Sequence, residues 1–263
     1  MRSVREPSIT HVQPELGASP TAGIGVIAPF DFALDRELWR WMPAGASIYV
    51  TRTPPSELAI GMDFAREAAG DEEALTQAAR SLSAAEPGAV VYACTSASYA
   101  NGLAGERRLR AAIERGGARR ALTTSGALLD ALAALGVSRV GVATPYDAAL
   151  TAALQDFLAE AGHEPVAVSY LGLTGAIAKV RPESVAELVR RAADAEAEAI
   201  VVSCTNLPTI DVLSALEDEL DRPVLSANLA TAWAALRAAG IRADERPERL
   251  FRAATSEVHP ERT

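Results

Sequence analysis

Cys94 and Cys204 are the two cysteines of the chain, and each ends the same kind of segment. Val90-Val91-Tyr92-Ala93-Cys94-Thr95-Ser96 recurs as Ile200-Val201-Val202-Ser203-Cys204-Thr205-Asn206, a shift of 110 positions (94 to 204). A thiol at the carboxyl end of a strand meets free N–H groups and the positive end of a following helix. That placement predicts a lowered pKa and a reactive thiolate. Thr95, Ser96, Thr205 and Asn206 add hydroxyl and amide donors able to hold a carboxylate or a developing enolate. A lone cysteine behind an apolar strand is normally a small packing residue. Packing alone gives no reason for the polar flanks to match in both copies, so catalytic roles are expected for both thiols.

A second pair of segments repeats in the same order. Residues 25–34 recur as 141–150, a shift of 116 positions (25 to 141), setting Pro29-Phe30-Asp31 against Pro145-Tyr146-Asp147. Tyr146 follows its proline at a strand end, where a phenol either donates to a substrate carboxylate or packs. Asp31 and Asp147 are expected to cap the helices that follow them. The stretch Gly23-Ile24-Gly25-Val26-Ile27-Ala28 loosely matches a dinucleotide fingerprint, but its glycines precede the strand, so no nucleotide site is expected. Two matched pairs at nearly equal shifts predict a duplicated half-structure.

The elements that must position these turns are legible from periodicity. Apolar β-rich runs at 24–28, 47–51, 90–93, 140–143, 165–170, 200–203 and 223–225 predict strands. Apolar positions at i, i+3 and i+4 predict helices at 35–41, 72–84, 105–114, 126–134, 148–161, 182–193, 210–220 and 229–239. Gly136, Gly162 and Gly240 stand where helix C-caps would fall. Such alternation predicts an α/β fold with parallel sheets covered on both faces. Ligands of such sheets bind beyond the carboxyl ends of the strands, so the repeated turns should line one cleft between two lobes. The expected partition is a flexible N-terminal tail at 1–20, a first lobe of 21–122 plus 224–263, and a second lobe of 123–223.

Composition narrows the partners. A net charge of −9 over 263 residues, without a basic stripe, argues against nucleic acid. No apolar run approaches the roughly 20 residues that cross a bilayer, so no membrane partner is expected. Residues 1–20 lack an apolar signal-peptide core, which predicts a cytoplasmic protein with reduced thiols. His11, His163 and His259 have no ligand spacing, so no metal site is expected. The single lysine, Lys179, lies in no cofactor motif.

Through the turns Cys94-Thr95-Ser96, Thr144-Pro145-Tyr146 and Ser203-Cys204-Thr205-Asn206, within residues 23–240, the chain resembles the aspartate/glutamate racemase superfamily. Within it, the resemblance is to the maleate cis–trans isomerase and arylmalonate decarboxylase branch. The resemblance implies two Rossmann-like lobes related by pseudo-twofold symmetry, with the active site between them, no cofactor and no metal. It also implies a homo-oligomer. Carried over, Cys94 is the nucleophile and Cys204 the acid/base, while Thr95, Ser96 and Tyr146 hold a carboxylate. Thr205, Asn206, Pro29 and Phe30 complete the expected substrate surface. In the decarboxylases the first-lobe cysteine position is glycine, so Cys94 speaks against that activity. The isomerases' two substrate-holding asparagines are missing from Pro29-Phe30-Asp31-Phe32 and from 171–176, which speaks against maleate itself. Asp31 would repel a second carboxylate unless it faces away. The expected function is a two-cysteine isomerase of a small carboxylic acid. The alternatives are a racemase, a one-thiol decarboxylase and, outside catalysis, a small-acid binding protein.

Overall fold

The computed structural model describes residues 22–243 and 245–256; the expected tail at 1–20 lies outside the described residues. Strands β1 (Ala22–Ala28), β2 (Ala46–Arg52), β3 (Ala89–Tyr92) and β4 (Ala121–Thr123) form one sheet in the order β2-β1-β3-β4. Strands β5 (Arg139–Thr144), β6 (Glu164–Tyr170), β7 (Ala199–Val202) and β8 (Val224–Ser226) form a second in the order β6-β5-β7-β8. Every pairing is parallel. Adding four to each strand number turns the first order into the second, so the repetition in the sequence is a repetition of topology. β3 and β7 are buried at every residue, which is why they read as unbroken apolar runs.

In the first half the helices are α1 (Asp35–Trp41), α2 (Met62–Gly70), α3 (Glu72–Ser83), α4 (Thr95–Tyr99), α5 (Gly102–Arg115) and α6 (Thr124–Leu135). In the second they are α7 (Ala148–Glu160), α8 (Pro182–Ala192), α9 (Leu213–Leu220), α10 (Ala227–Ala239) and α11 (Arg249–Ser256). Periodicity missed β4 because three residues carry no measurable alternation. It also missed α2 and α11. The helix expected at 210–220 begins only at Leu213, since the chain after Cys204 turns before it coils. Gly136 and Gly240 cap α6 and α10 at φ 65° and 69°, left-handed values that glycine adopts without a Cβ clash. Gly162 lies one residue beyond the C-cap of α7.

α10 is buried along residues 227–236, as its mostly apolar sequence, broken by Asn228 and Thr231, requires. It packs on α6, with Thr124 Oγ1 and Thr231 Oγ1 2.9 Å apart, and also on β1 and β3 of the first sheet. β8, which feeds α10, pairs with β7 in the second sheet. The chain leaves the second sheet after β8 and continues into α10.

The duplication is uneven in its packing. A Cβ on Gly141 in β5 would stand 2.0 Å from the carbonyl oxygen of Ala192 at the end of α8. At the matching position in β1, a Cβ on Gly25 would meet only side chains, at 3.0 Å and beyond. Backbone cannot yield as a rotamer can, so Gly141→Ala should destabilise the protein by about 3 kcal/mol and Gly25→Ala by about 1 kcal/mol. Urea unfolding of the two variants checks this, and equal costs would show that β5 and α8 are not held in this contact.

Candidate functional site

The carboxyl ends of β3 and β7 meet. Thr205 Oγ1, one residue past Cys204, donates to the carbonyl of Ala93, one residue before Cys94, at 2.9 Å. Cys94 is the extended N-cap of α4, at φ −128° and ψ 105°. The Ala97 N–H points at its sulfur, and Ser96 Oγ lies 3.8 Å from Sγ. Cys204 has φ 90°, a conformation that costs a residue with a Cβ about 1–3 kcal/mol. The turn it makes lets the Cys204 carbonyl accept from Leu207 N at 3.1 Å and aims the Asn206 N–H at Sγ. The phenol of Tyr146, brought by the turn after β5, donates to the same sulfur when it is ionised.

The expectation of lowered thiol pKa values is corrected here. Cys94 is 4% and Cys204 7% exposed. Burial pushes both thiols up, Cys204 to about 12, and this outweighs the backbone and side-chain donors that favour the thiolates. Local structure explains the balance. α4 is five residues long and no helix starts directly after Cys204, so neither sulfur receives a full helix terminus. The Asp31 carboxylate, and Cys94 whenever it is ionised, further disfavour a thiolate at Cys204. Both sulfurs are therefore neutral thiols at physiological pH. Burial alone is what an inert packing cysteine shows; the hydroxyls, N–H groups and carboxylate converging on this pair are not.

The other residues singled out by sequence divide by how their polar atoms are used. Thr95 is 1% exposed, and its Oγ1 has no hydrogen-bond partner. The Thr95 carbonyl takes Ser98 Oγ at 2.9 Å and Ser125 Oγ at 3.0 Å. Asn206 is fully engaged across the halves: Oδ1 accepts from Ala33 N at 2.8 Å, and Nδ2 donates to the carbonyl and Oδ2 of Asp31 at 3.1 and 3.2 Å. Pro29 and Phe30 contribute carbonyls that accept from Arg52 Nη1, both at 3.3 Å. The Phe30 ring lies edge-on to Phe64, centroids 6.0 Å apart.

Asp31 and Asp147 diverge. Asp147 caps α7 as expected, accepting from Leu150 N at 2.9 Å. Asp31 does not cap, because α1 begins four residues later with Leu34 at its N-cap. Its carboxylate turns to Asn206 and acts on both sulfurs, and burial holds it above the usual carboxylate range.

Three contributors were not read from the sequence. Tyr92 lies two residues before Cys94, on the same side of the extended chain. Its buried Oη has no hydrogen-bond partner, and a thiolate at Cys94 is the acceptor within reach. The spacing of two was the available signal. Tyr99 gives its hydroxyl to the Leu150 carbonyl at 3.1 Å. Glu37, 6% exposed on α1, accepts from Thr209 Oγ1 at 2.6 Å, Thr209 N at 3.0 Å and Asn228 Nδ2 at 3.2 Å. No local pattern announces Glu37, since its partners lie more than 170 residues onward.

The family model described as arylmalonate decarboxylase matches residues 63–251. Arylmalonate decarboxylase of Bordetella bronchiseptica is 36% identical over 185 residues, 68% of this chain and 77% of that protein. A maleate isomerase of Alcaligenes faecalis is 28% identical over 168 residues, 61% of this chain and 66% of that protein. Among solved structures, a liganded arylmalonate decarboxylase carrying glycine-to-cysteine and cysteine-to-serine substitutions superposes with a TM-score of 0.80. It is 30% identical and covers 88% of this chain and 99% of its own. A cysteine-to-alanine variant of maleate isomerase from Pseudomonas putida S16, with maleate, superposes at 0.78 with 25% identity, covering 89% and 98%. The chain belongs to the arylmalonate decarboxylase family, in the branch of the aspartate/glutamate racemase superfamily that also holds the maleate isomerases.

Proposed function

We propose that this chain is a cofactor-independent isomerase of a small carboxylic acid, with Cys94 as nucleophile and Cys204 as acid/base. The observation that carries the reading is the pair of matched cysteine turns bonded to each other through Thr205 and Ala93, with different donors around each sulfur. Ser96, Tyr92 and the Ala97 N–H all favour a thiolate at Cys94, the form that adds to carbon. Cys204, which keeps its proton up to about pH 12, is a neutral acid at working pH. The Cys94 proton passes to solvent as substrate enters; addition of the resulting thiolate forms a C–S bond, and the displaced π pair takes the Cys204 proton at the neighbouring carbon, leaving Cys204 as a thiolate. Rotation about the new single bond follows. Cys204 then removes a proton from that carbon, the double bond re-forms and the C–S bond breaks.

The substrate's carboxylate is assigned to Thr95 Oγ1, Ser96 and the backbone N–H groups beside them, with Tyr146 completing the surface. A carboxylate there withdraws electron density from the alkene and accepts the charge that builds during addition. Since each cysteine is less than one-tenth exposed, substrate entry requires the chain around the two turns to part.

The family match and the 36% identity to a decarboxylase favour a second reading, in which Cys204 alone reprotonates the enediolate left by loss of carbon dioxide. The two readings differ in what Cys94 does. Cys94→Ala and Cys204→Ala should each lower turnover by about 10³-fold or more with thermal stability retained. Proton NMR in deuterium oxide over a panel of small mono- and dicarboxylic acids follows this, because isomerisation, exchange and decarboxylation leave different spectra. Carbon dioxide release that survives Cys94→Ala would replace the isomerase by the decarboxylase. Full activity in either variant would end the two-cysteine mechanism.

Thiol titration gives an independent check. A raised pKa lowers the thiolate fraction at any given pH, so in the free protein iodoacetamide should modify both cysteines more slowly at neutral pH than an ordinary exposed thiol. The Cys204 rate should keep rising toward about pH 12. Rapid labelling of Cys204 at pH 7 would contradict the burial described here.

A further inference from the structure

The mechanism above leaves Asp31 without a task. Its half-buried side chain stands at the carboxyl end of β1, caps no helix, and is held by Asn206 Nδ2 at 3.2 Å. The backbone N–H of that same asparagine points at Cys204 Sγ, so one residue fixes both a carboxylate and a thiol. Asp31 is also the carboxylate that acts on both sulfurs, from a turn on the opposite half from Cys204. The neighbouring cation, Arg52, attracts the Asp31 carboxylate less than the hydrogen bond from Asn206 does, and its Nη1 is taken by the carbonyls of Pro29, Phe30 and Phe32 at 3.3, 3.3 and 2.8 Å. Beside the cysteines themselves, the unpartnered hydroxyls of Thr95 and Ser203 are neutral donors.

We infer that Asp31 sets the substrate class: a monocarboxylate that presents a nitrogen donor, an ammonium or amide N–H, to Asp31, in place of a second carboxylate. The inference rests on the reading of the cleft as a small-acid site and narrows it. Two carboxylates facing each other in a water-poor site cannot both stay ionised without a cation between them. An N–H group in the same place instead makes a charge-assisted hydrogen bond to an oxygen whose remaining lone pairs Asn206 does not use. The neutral donors at Thr95 and Ser96 then serve the substrate's one carboxylate.

Ligand-observed NMR titrations with succinate, its half-amide succinamate, and 4-aminobutanoate test this on the wild-type protein, Asp31→Asn and Asp31→Ser. These probes share a chain length and differ in what they offer Asp31. Wild type should bind succinamate and 4-aminobutanoate at least about tenfold more tightly than succinate. Asp31→Asn should shrink that preference to about threefold or less, chiefly by gaining succinate, and Asp31→Ser repeats the test should the asparagine variant fold poorly. Succinate binding as well as the nitrogen-bearing probes in wild type, or a preference unchanged in the folded variants, overturns selection by Asp31 and leaves the acid site standing. Failure of all three probes to bind folded wild type overturns the acid site and the inference with it.

Discussion

The thiols of Cys94 and Cys204 are buried at turns that bond to each other, and satisfying the polar groups of those turns without water is the constraint from which most of the site's structure follows. A buried polar group without a partner costs about 1–3 kcal/mol, so the turns that carry the sulfurs must satisfy one another. They do so across the halves. Thr205 bonds Ala93, Asn206 bonds Ala33 and Asp31, and Glu37 gathers Thr209 and Asn228, whose Nδ2 also reaches the Thr205 carbonyl at 3.0 Å. The hydroxyls of Thr95, Ser203 and Tyr92 stand outside this accounting. Groups left unsatisfied beside a pair of thiols, in a protein that satisfies their neighbours so thoroughly, are where a ligand's polar atoms have most to gain.

Duplication supplies the scaffold, and departures from it set the surroundings of the two cysteines apart. Both halves build the same four-stranded order and bring a cysteine to the same strand end. The matched positions around those cysteines differ. Tyr146 faces Cys204 where the first half has Phe30, and Tyr92 faces Cys94 where the second has Val202. Asp147 is spent on capping α7, while its counterpart Asp31 caps no helix, because α1 starts late, and turns to Asn206. Two thiols that began as equivalents thus sit in unlike electrostatic surroundings, a condition for one to act as nucleophile and the other as acid.

Burial also links chemistry to motion. Both cysteines sit in the apolar core, and the turns that carry them are also tied to each other by hydrogen bonds and include one strained residue, Cys204 at φ 90°. Hydrogen bonds of this kind exchange readily for bonds to water or ligand, at a net cost of about 1 kcal/mol each. The helix pair α6 and α10, packed through apolar surface, is suited to stay in place while the turns move.

The sequence by itself determined the parallel α/β architecture, the duplication, and the two cysteine turns, because each rests on local periodicity or on direct repetition along the chain. It also placed Asp147 as a cap and Gly136 and Gly240 as helix ends, interactions that span at most a few residues. Tertiary structure alone decided the rest. The protonation of the thiols depends on how much water the opposing half excludes, and local helix-terminus reasoning gave the wrong sign. The role of Asp31 depends on Asn206, 175 residues away, and that of Glu37 on Thr209, 172 residues away. Burial and long-range hydrogen bonding are properties of the folded whole, and no window along the chain contains both partners.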